Sequence, residues 1–181
     1  TRSKPITINY KDGFYEYNDT HDTHDTHDTT EIYVDFANKF LGGGFLGNGC
    51  AQEEIIMYEF TDLFLGLINI LEKHKAKMEY NEVYIIKNAT QYLHFKKYGS
   101  CIDTGDNLPF DVIPAPVKGI NFLAMDALDM RRNANYTKED IIFLLNKVLI
   151  GFKAAQHEGI TTINTGHLGG GVFSLTGDDG G

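Results

Sequence analysis

Hydrophobic and polar positions along the chain follow two periods, one of strands and one of helices. Residues 6–10, Ile-Thr-Ile-Asn-Tyr, alternate and predict a strand. Residues 32–36, Ile-Tyr-Val-Asp-Phe, are β-branched and aromatic and predict a buried strand. From 52 to 74 the period becomes helical, with Leu63, Phe64, Leu67, Ile68 and Leu71 on one face and a break expected near Thr61. Short strands are predicted at 82–87 and 121–125, separated by an irregular stretch that carries Pro109, Pro114 and Pro116. Thr137-Lys138-Glu139-Asp140 has the form of a capping box. The helix after it sets Ile141, Leu144, Leu145, Val148, Leu149 and Phe152 on one stripe. Gly159 ends the connection to a last strand at 160–164. Strands alternating with helices predict an α/β fold with a mixed or parallel sheet. In such sheets ligands bind at loops beyond the strand ends.

The length of 181 residues suits one domain, 1–181, with a core of its own. Within it, residues 18–30 read as an inserted low-complexity loop, because the repeated His-Asp-Thr triplets at 22–29 have nothing to bury. No apolar run reaches the ~18 residues of a membrane span. The start, Thr1-Arg2-Ser3-Lys4-Pro5, is followed by no apolar stretch and is not a signal peptide; it also lacks an initiating Met, which leaves the natural N-terminus open. Two cysteines, Cys50 and Cys101, are expected to be inert thiols, which favours a nuclear or cytoplasmic location.

Charge narrows the function. With 16 Lys and Arg against 25 Asp and Glu, the net charge is −9. No basic cluster larger than Lys96-Lys97 or Arg131-Arg132 is present, so direct nucleic-acid binding is not expected. A phosphate-bearing ligand would have to be held mainly by backbone N–H groups in a glycine loop.

Two such loops exist. After the strand at 32–36 the chain reads Asn38-Lys39-Phe40-Leu41-Gly42-Gly43-Gly44, and eight residues beyond the third glycine comes Gln52-Glu53-Glu54. Adjacent glycines cost backbone entropy and are useful where a ligand must approach the main chain. After the strand at 160–164 comes Gly166-His167-Leu168-Gly169-Gly170-Gly171. Gly42-Gly43-Gly44 does not fit G-x-G-x-x-G, and no acid ends a second strand ~20 residues on, which argues against a nicotinamide-dependent oxidoreductase. No Cys/His spacing builds a metal site, and no cofactor is expected.

The triple glycine followed by Gln-Glu-Glu, with Val34-Asp35-Phe36-Ala37-Asn38 before it, resembles the signature of the poly(ADP-ribose) glycohydrolases. Further segments are similar to that family in the same order: Ala89-Thr90-Gln91-Tyr92 through Tyr98, its adenine-side loop; Met125-Asp126-Ala127-Leu128-Asp129-Met130-Arg131-Arg132; Leu145-Asn146-Lys147 to Gly151-Phe152; and Thr165 to Phe173, its phosphate loop. The resemblance implies a macrodomain-like mixed sheet flanked by helices. It also implies hydrolysis of ribose–ribose bonds in poly(ADP-ribose) and reversal of ADP-ribosylation, a part of the DNA damage response. By position it makes Glu54 the general acid, with Glu53 and Asn38 on the ribose hydroxyls and Asp35 in support. Gly42, Gly43 and Gly44 would line the terminal ribose and diphosphate, with Gln52 a further substrate-binding residue. Gly169, Gly170 and Gly171 would supply N–H groups to the diphosphate, Phe173 would pack on the terminal ribose and Tyr98 on the adenine, with Val172 a further substrate-binding residue. The implied partners are poly(ADP-ribose) and ADP-ribosylated proteins.

The physics agrees with a division of labour. Cleavage through an oxocarbenium-like state needs a proton on the leaving oxygen, and consecutive helical residues point ~100° apart. One acid can therefore grip hydroxyls while the other gives the proton. Three features depart from the family: the His-Asp-Thr insertion, His167-Leu168 in the phosphate loop, and Ser174-Leu175-Thr176 after Phe173. The chain also stops at Gly181, where the family has further strands and helices, so the fold is expected to be incomplete there. The competing reading on the same fold is an ADP-ribose-binding macrodomain without activity.

Overall fold

The computed structural model describes residues 7–10, 12–13, 15–17, 30–47, 49–73, 77–96, 110–131, 135–171 and 173. Among the described residues seven elements occur, in the order β1 (Glu31–Ala37), α1 (Gln52–Glu59), α2 (Thr61–Lys73), β2 (Tyr84–Phe95), β3 (Phe110–Asp126), α3 (Lys138–His157) and β4 (Thr162–Asn164). Four strands make one sheet in the order β2-β3-β1-β4. β1 runs parallel to both β3 and β4, and β2 is antiparallel to β3. The mixed sheet is the one the strand–helix alternation predicts.

Alternation along β1 sends its side chains to two cores. Ile32 and Val34 pack with Leu123, Met125, Ala155 and Ile160 on the α3 face. Ala37, with Tyr33 beside it, joins Ile56, Phe60, Leu63, Leu67 and Phe122 on the α1–α2 face. Gly151 lets α3 settle on the sheet: a Cβ there would collide with Met125 Sδ. The expected helix break falls at Phe60, which joins α1 to α2 and is itself fully buried.

Sequence and structure part company in several places. Residues 7–10 form no strand; Ile8 and Tyr10 are exposed. The proline-bearing stretch is not irregular from 110 onward: Pro114 and Pro116 lie inside β3. There β1 is no longer alongside, since it pairs only with Phe122–Asp126, and the register to β2 slips between Gln91 and Leu93. An edge with a bulge tolerates residues without an N–H. Residues 89–95 are strand, not loop. On α3, Ile141, Leu145 and Leu149 of the expected stripe are exposed, while Lys147, Gly151 and Ala155 are buried. On α2, Leu63 and Leu67 are buried but Leu71 is exposed. Residues 18–29 of the inserted loop lie outside the described residues. Among those described, no helix is long and apolar enough to cross a membrane.

Candidate active site

Parallel strands end at the same edge. The chains leaving β1, β3 and β4, at 38–51, 127–131 and 165–173, therefore emerge together, the usual ligand position in such sheets. Backbone bonds knit them: Ala127 N–H donates to Ala37 C=O (3.1 Å) and Met130 N–H to Phe173 C=O (3.0 Å).

Glu53 and Glu54 stand in the first turn of α1, where a helix N-terminus favours acidic side chains. Both are buried, at 4% and 8% exposure. The loop after β1 folds back on them. Glu53 accepts from Asn38 N–H (2.8 Å) and Gly42 N–H (2.6 Å). Glu54 accepts from Gly44 N–H (2.7 Å) and from Ala51 N–H (2.9 Å), the N-cap of its own helix. Ala51 offers no side-chain acceptor, so only the Glu half of a capping box is made. Positive φ angles at Gly42 (94°) and Gly43 (52°) turn the loop.

Asp35 completes a group of three carboxyls. It lies on β1, fully buried, with no hydrogen-bond partner for either oxygen among the described residues. Burial, then the Glu54 charge, raises its carboxyl above the usual range, to about 7. Glu53 is pushed up to about 9, by burial first and then by Asp35, against the lowering effect of its two N–H partners. Burial and mutual charge thus disfavour the ionised forms of Asp35 and Glu53. Tyr15 and Tyr17 approach from the N-terminal segment. Burial raises both hydroxyls, with Asp35 adding to the effect. Tyr15 Oη donates to Asn164 C=O (3.1 Å) at the end of β4.

The structure thus gathers Asp35, Asn38, Gly42, Gly43, Gly44, Gln52, Glu53 and Glu54 into one place. Asn38 Oδ1 accepts from Phe40 N–H (2.9 Å), closing the turn out of β1. Gln52 uses both groups of its amide on β1: Oε1 accepts from Phe36 N–H and Nε2 donates to Val34 C=O, each at 2.8 Å. The triple glycine does not present a row of open N–H groups. Gly42 and Gly44 donate to the glutamates and Gly43 to Phe40 C=O. In the second loop Gly169 has a positive φ (79°), Gly170 N–H turns back to His167 C=O (3.0 Å), and Gly171 is exposed. Phe173 sits under the Arg131 guanidinium, 5.5 Å from ring centre to Cζ. Tyr98 and Val172 lie outside the described residues.

Two features were not foreseen from the sequence, and a third departs from it. Lys147 is fully buried and joins Asp126 (2.7 Å) to the carbonyls of Glu79 (2.7 Å) and Glu82 (2.8 Å). Glu59, at the far end of α1, accepts from Phe95 N–H (2.7 Å) and Gln91 Nε2 (3.2 Å) and so ties β2 to the helix. Cys50 is disulfide-bonded, contrary to the expected inert thiol. The other cysteine, Cys101, lies outside the described residues. Among those described, no group of three His, Cys, Asp or Glu side chains is placed to hold a metal ion.

Comparison with known proteins places the fold and the family. A crystal structure of a poly(ADP-ribose) glycohydrolase mutant from Thermomonospora curvata superposes with a TM-score of 0.54 at 19% identity, over 84% of this chain and 54% of that one. At that identity the likeness shows the fold. Poly(ADP-ribose) glycohydrolase 1 of Arabidopsis thaliana is 31% identical over 135 residues, 71% of this chain and 24% of the plant protein. The chain therefore spans about a quarter of that relative and about half of the bacterial one. The family described as poly(ADP-ribose) glycohydrolase (PARG), Macro domain fold, matches residues 16–179. With that match covering nearly its whole length, the chain belongs to the poly(ADP-ribose) glycohydrolase family.

Proposed function

We propose that this chain hydrolyses ribose–ribose O-glycosidic bonds of poly(ADP-ribose) and releases ADP-ribose, with Glu54 as general acid. The observation that carries the reading is the buried carboxyl group of three. Glu53 and Glu54 occupy consecutive positions at the start of α1, held by loop N–H groups near Asp35. Burial holds the Asp35 and Glu53 carboxyls above their usual range, and a proton for the leaving oxygen is what glycosidic cleavage demands. Glu54 gives it to the departing ribose oxygen. As a carboxylate it then takes one from the incoming water. Glu53 and the Asn38 amide hold the hydroxyls of the ribose whose bond is cut. Asp35 supports the pair from β1. The polymer and the ADP-ribosylated proteins that carry it are the partners this activity requires.

The test is release of ADP-ribose from purified polymer by the wild-type chain and by Glu54→Gln, with calorimetric ADP-ribose binding alongside. Loss of a general acid costs roughly 10²–10⁴-fold in rate. The expected result is that loss with binding retained. Wild-type binding without turnover would instead assign a reader of ADP-ribose, and substantial turnover by Glu54→Gln would remove Glu54 from the role.

A further inference from the structure

We infer that Gln52 is a positioning residue: its side-chain amide stands in for a missing strand and fixes the two glutamates near Asp35. The inference rests on the glycohydrolase reading above and deepens it.

β4 pairs with β1 only from Glu31 to Tyr33 and ends at Asn164. In a parallel ladder, alternate residues turn both backbone groups to the same side. On the β4 side of β1, the next groups along are the Val34 carbonyl and the Phe36 N–H. Gln52 meets both, accepting from Phe36 N–H and donating to Val34 C=O at 2.8 Å each. A residue of a parallel strand would make the same two bonds to residues i and i+2. The amide therefore continues the sheet for one step after β4 has turned away into its glycine loop.

The two bonds straddle Asp35, the residue between Val34 and Phe36. Gln52 is also the first residue of α1, followed directly by Glu53 and Glu54. One side chain thus sets the height and rotation of the helix start relative to the third carboxyl. Both polar groups of the amide are committed to this task. A change here moves the acid pair without touching the ligand, and a misplacement of ~1 Å costs about 10²-fold in rate.

Gln52→Glu tests it directly. A neutral carboxylic acid reproduces the amide pattern, its carbonyl accepting from Phe36 and its O–H donating to Val34. An ionised carboxylate has no donor and sets a charge against the Val34 carbonyl and beside the carboxyl group of three. The chain is assayed on purified poly(ADP-ribose) from pH 5 to pH 8, with kcat and KM of each variant divided by the wild-type values at the same pH. For Gln52→Glu the expected relative kcat is near one at the acid end and falls roughly 10- to 100-fold toward pH 8, with relative KM little changed. Gln52→Ala is expected to lose kcat at every pH. A raised KM at unchanged kcat would make Gln52 a ligand contact and overturn the inference, as would a Gln52→Glu profile parallel to wild type.

Hydrogen exchange separates this failure from failure of the function itself. If the wild-type chain releases no ADP-ribose, the glycohydrolase reading falls. The clamp is then decided by the Phe36 amide, which is expected to exchange fast in Gln52→Ala and, at pH 8, in Gln52→Glu. Retained protection in both would overturn it.

Discussion

Gly43 lies directly against the Glu54 carboxyl: a Cβ on Gly43 would fall 2.6 Å from Glu54 Oε1 and 2.7 Å from Glu53 Oε2. No side chain fits between the loop and the acids, and the φ of 52° at Gly43 is one that residues with a Cβ rarely adopt. Gly43→Ala must therefore push the loop away or rotate both carboxyls. The expected outcome is a loss of about 10²-fold in ADP-ribose release with a melting temperature lowered by only a few degrees, since the loop is at the surface. Turnover and thermal unfolding measured side by side check it, and near-wild-type turnover would show that the loop adapts.

How much of this was legible in the sequence depends on whether the signal is local. β1 declared itself by its β-branched and aromatic run. α3 declared itself by the Thr137–Asp140 box, which the structure forms in both directions. The acid pair and the glycine loop were legible through spacing alone. Lys147 was not, because a lysine inside a helix reads as solvated, and its burial is created by Asp126 and two turn carbonyls that are distant in sequence. The strand through Pro114 and Pro116 was hidden for a related reason. Proline is excluded only where both edges of a strand are paired, and which edges are open is a property of the sheet. Gln52 read as a contact to substrate because its neighbours did; its use as a surrogate strand follows from β4 ending at Asn164, which no local pattern announces.

The carboxyl group of three makes stability depend on pH in a direction opposite to that of most surface acids. Asp35 and Glu53 are raised to about 7 and about 9 in the folded chain, above the ~4 of an unfolded carboxyl. Their contribution is then present in full below the unfolded value. It is lost as pH rises through the folded ones, because the unfolded chain releases those protons more readily. Between pH 6 and pH 9 the chain is expected to lose stability. Asp35→Asn should reduce that loss by about 1–3 kcal/mol. Urea unfolding at both pH values measures it; a wild-type stability that is flat or rising over this range would contradict the raised Asp35 and Glu53 carboxyls.

Lys147 and Asp126 form a buried pair at 0% and 8% side-chain exposure. Removing one partner of such a pair strands the other charge and costs about 3–5 kcal/mol. Lys147→Met also deprives the Glu79 and Glu82 carbonyls of their donor. It is expected to destabilise by that amount, and the double change Lys147→Met with Asp126→Leu by distinctly less. A double-mutant cycle by chemical denaturation decides it, since equal losses in the single and double variants would mean that the carbonyl contacts, not the charge pair, carry the effect.

Glu54 has both oxygens bound to N–H groups, from Gly44 and Ala51. A glutamine in its place has one oxygen and one NH2. Whichever way the amide turns, a donor then faces a donor at a site where the present separations are 2.7 Å and 2.9 Å. Turning the NH2 toward Gly44 breaks the glycine loop away from the acid. Turning it toward Ala51 removes the remaining half of the α1 cap. Leaving a buried donor unpaired costs about 1–3 kcal/mol, and the loop, being the softer element, is expected to give way. Glu54→Gln should therefore do two separable things. It should stop turnover through loss of the proton donor, and it should raise the exchange rate of the Gly44 amide while α1 keeps its protection. Glu54→Asp retains an acid but shortens its reach. It is expected to lose the Gly44 bond yet keep measurable turnover. Amide exchange at Gly44 and Ile55, measured with ADP-ribose release for both variants, distinguishes the effects. If Glu54→Asp were as inactive as Glu54→Gln while its Gly44 amide stayed protected, the loop contact would not be what limits the shortened acid, and reach to the leaving oxygen would be.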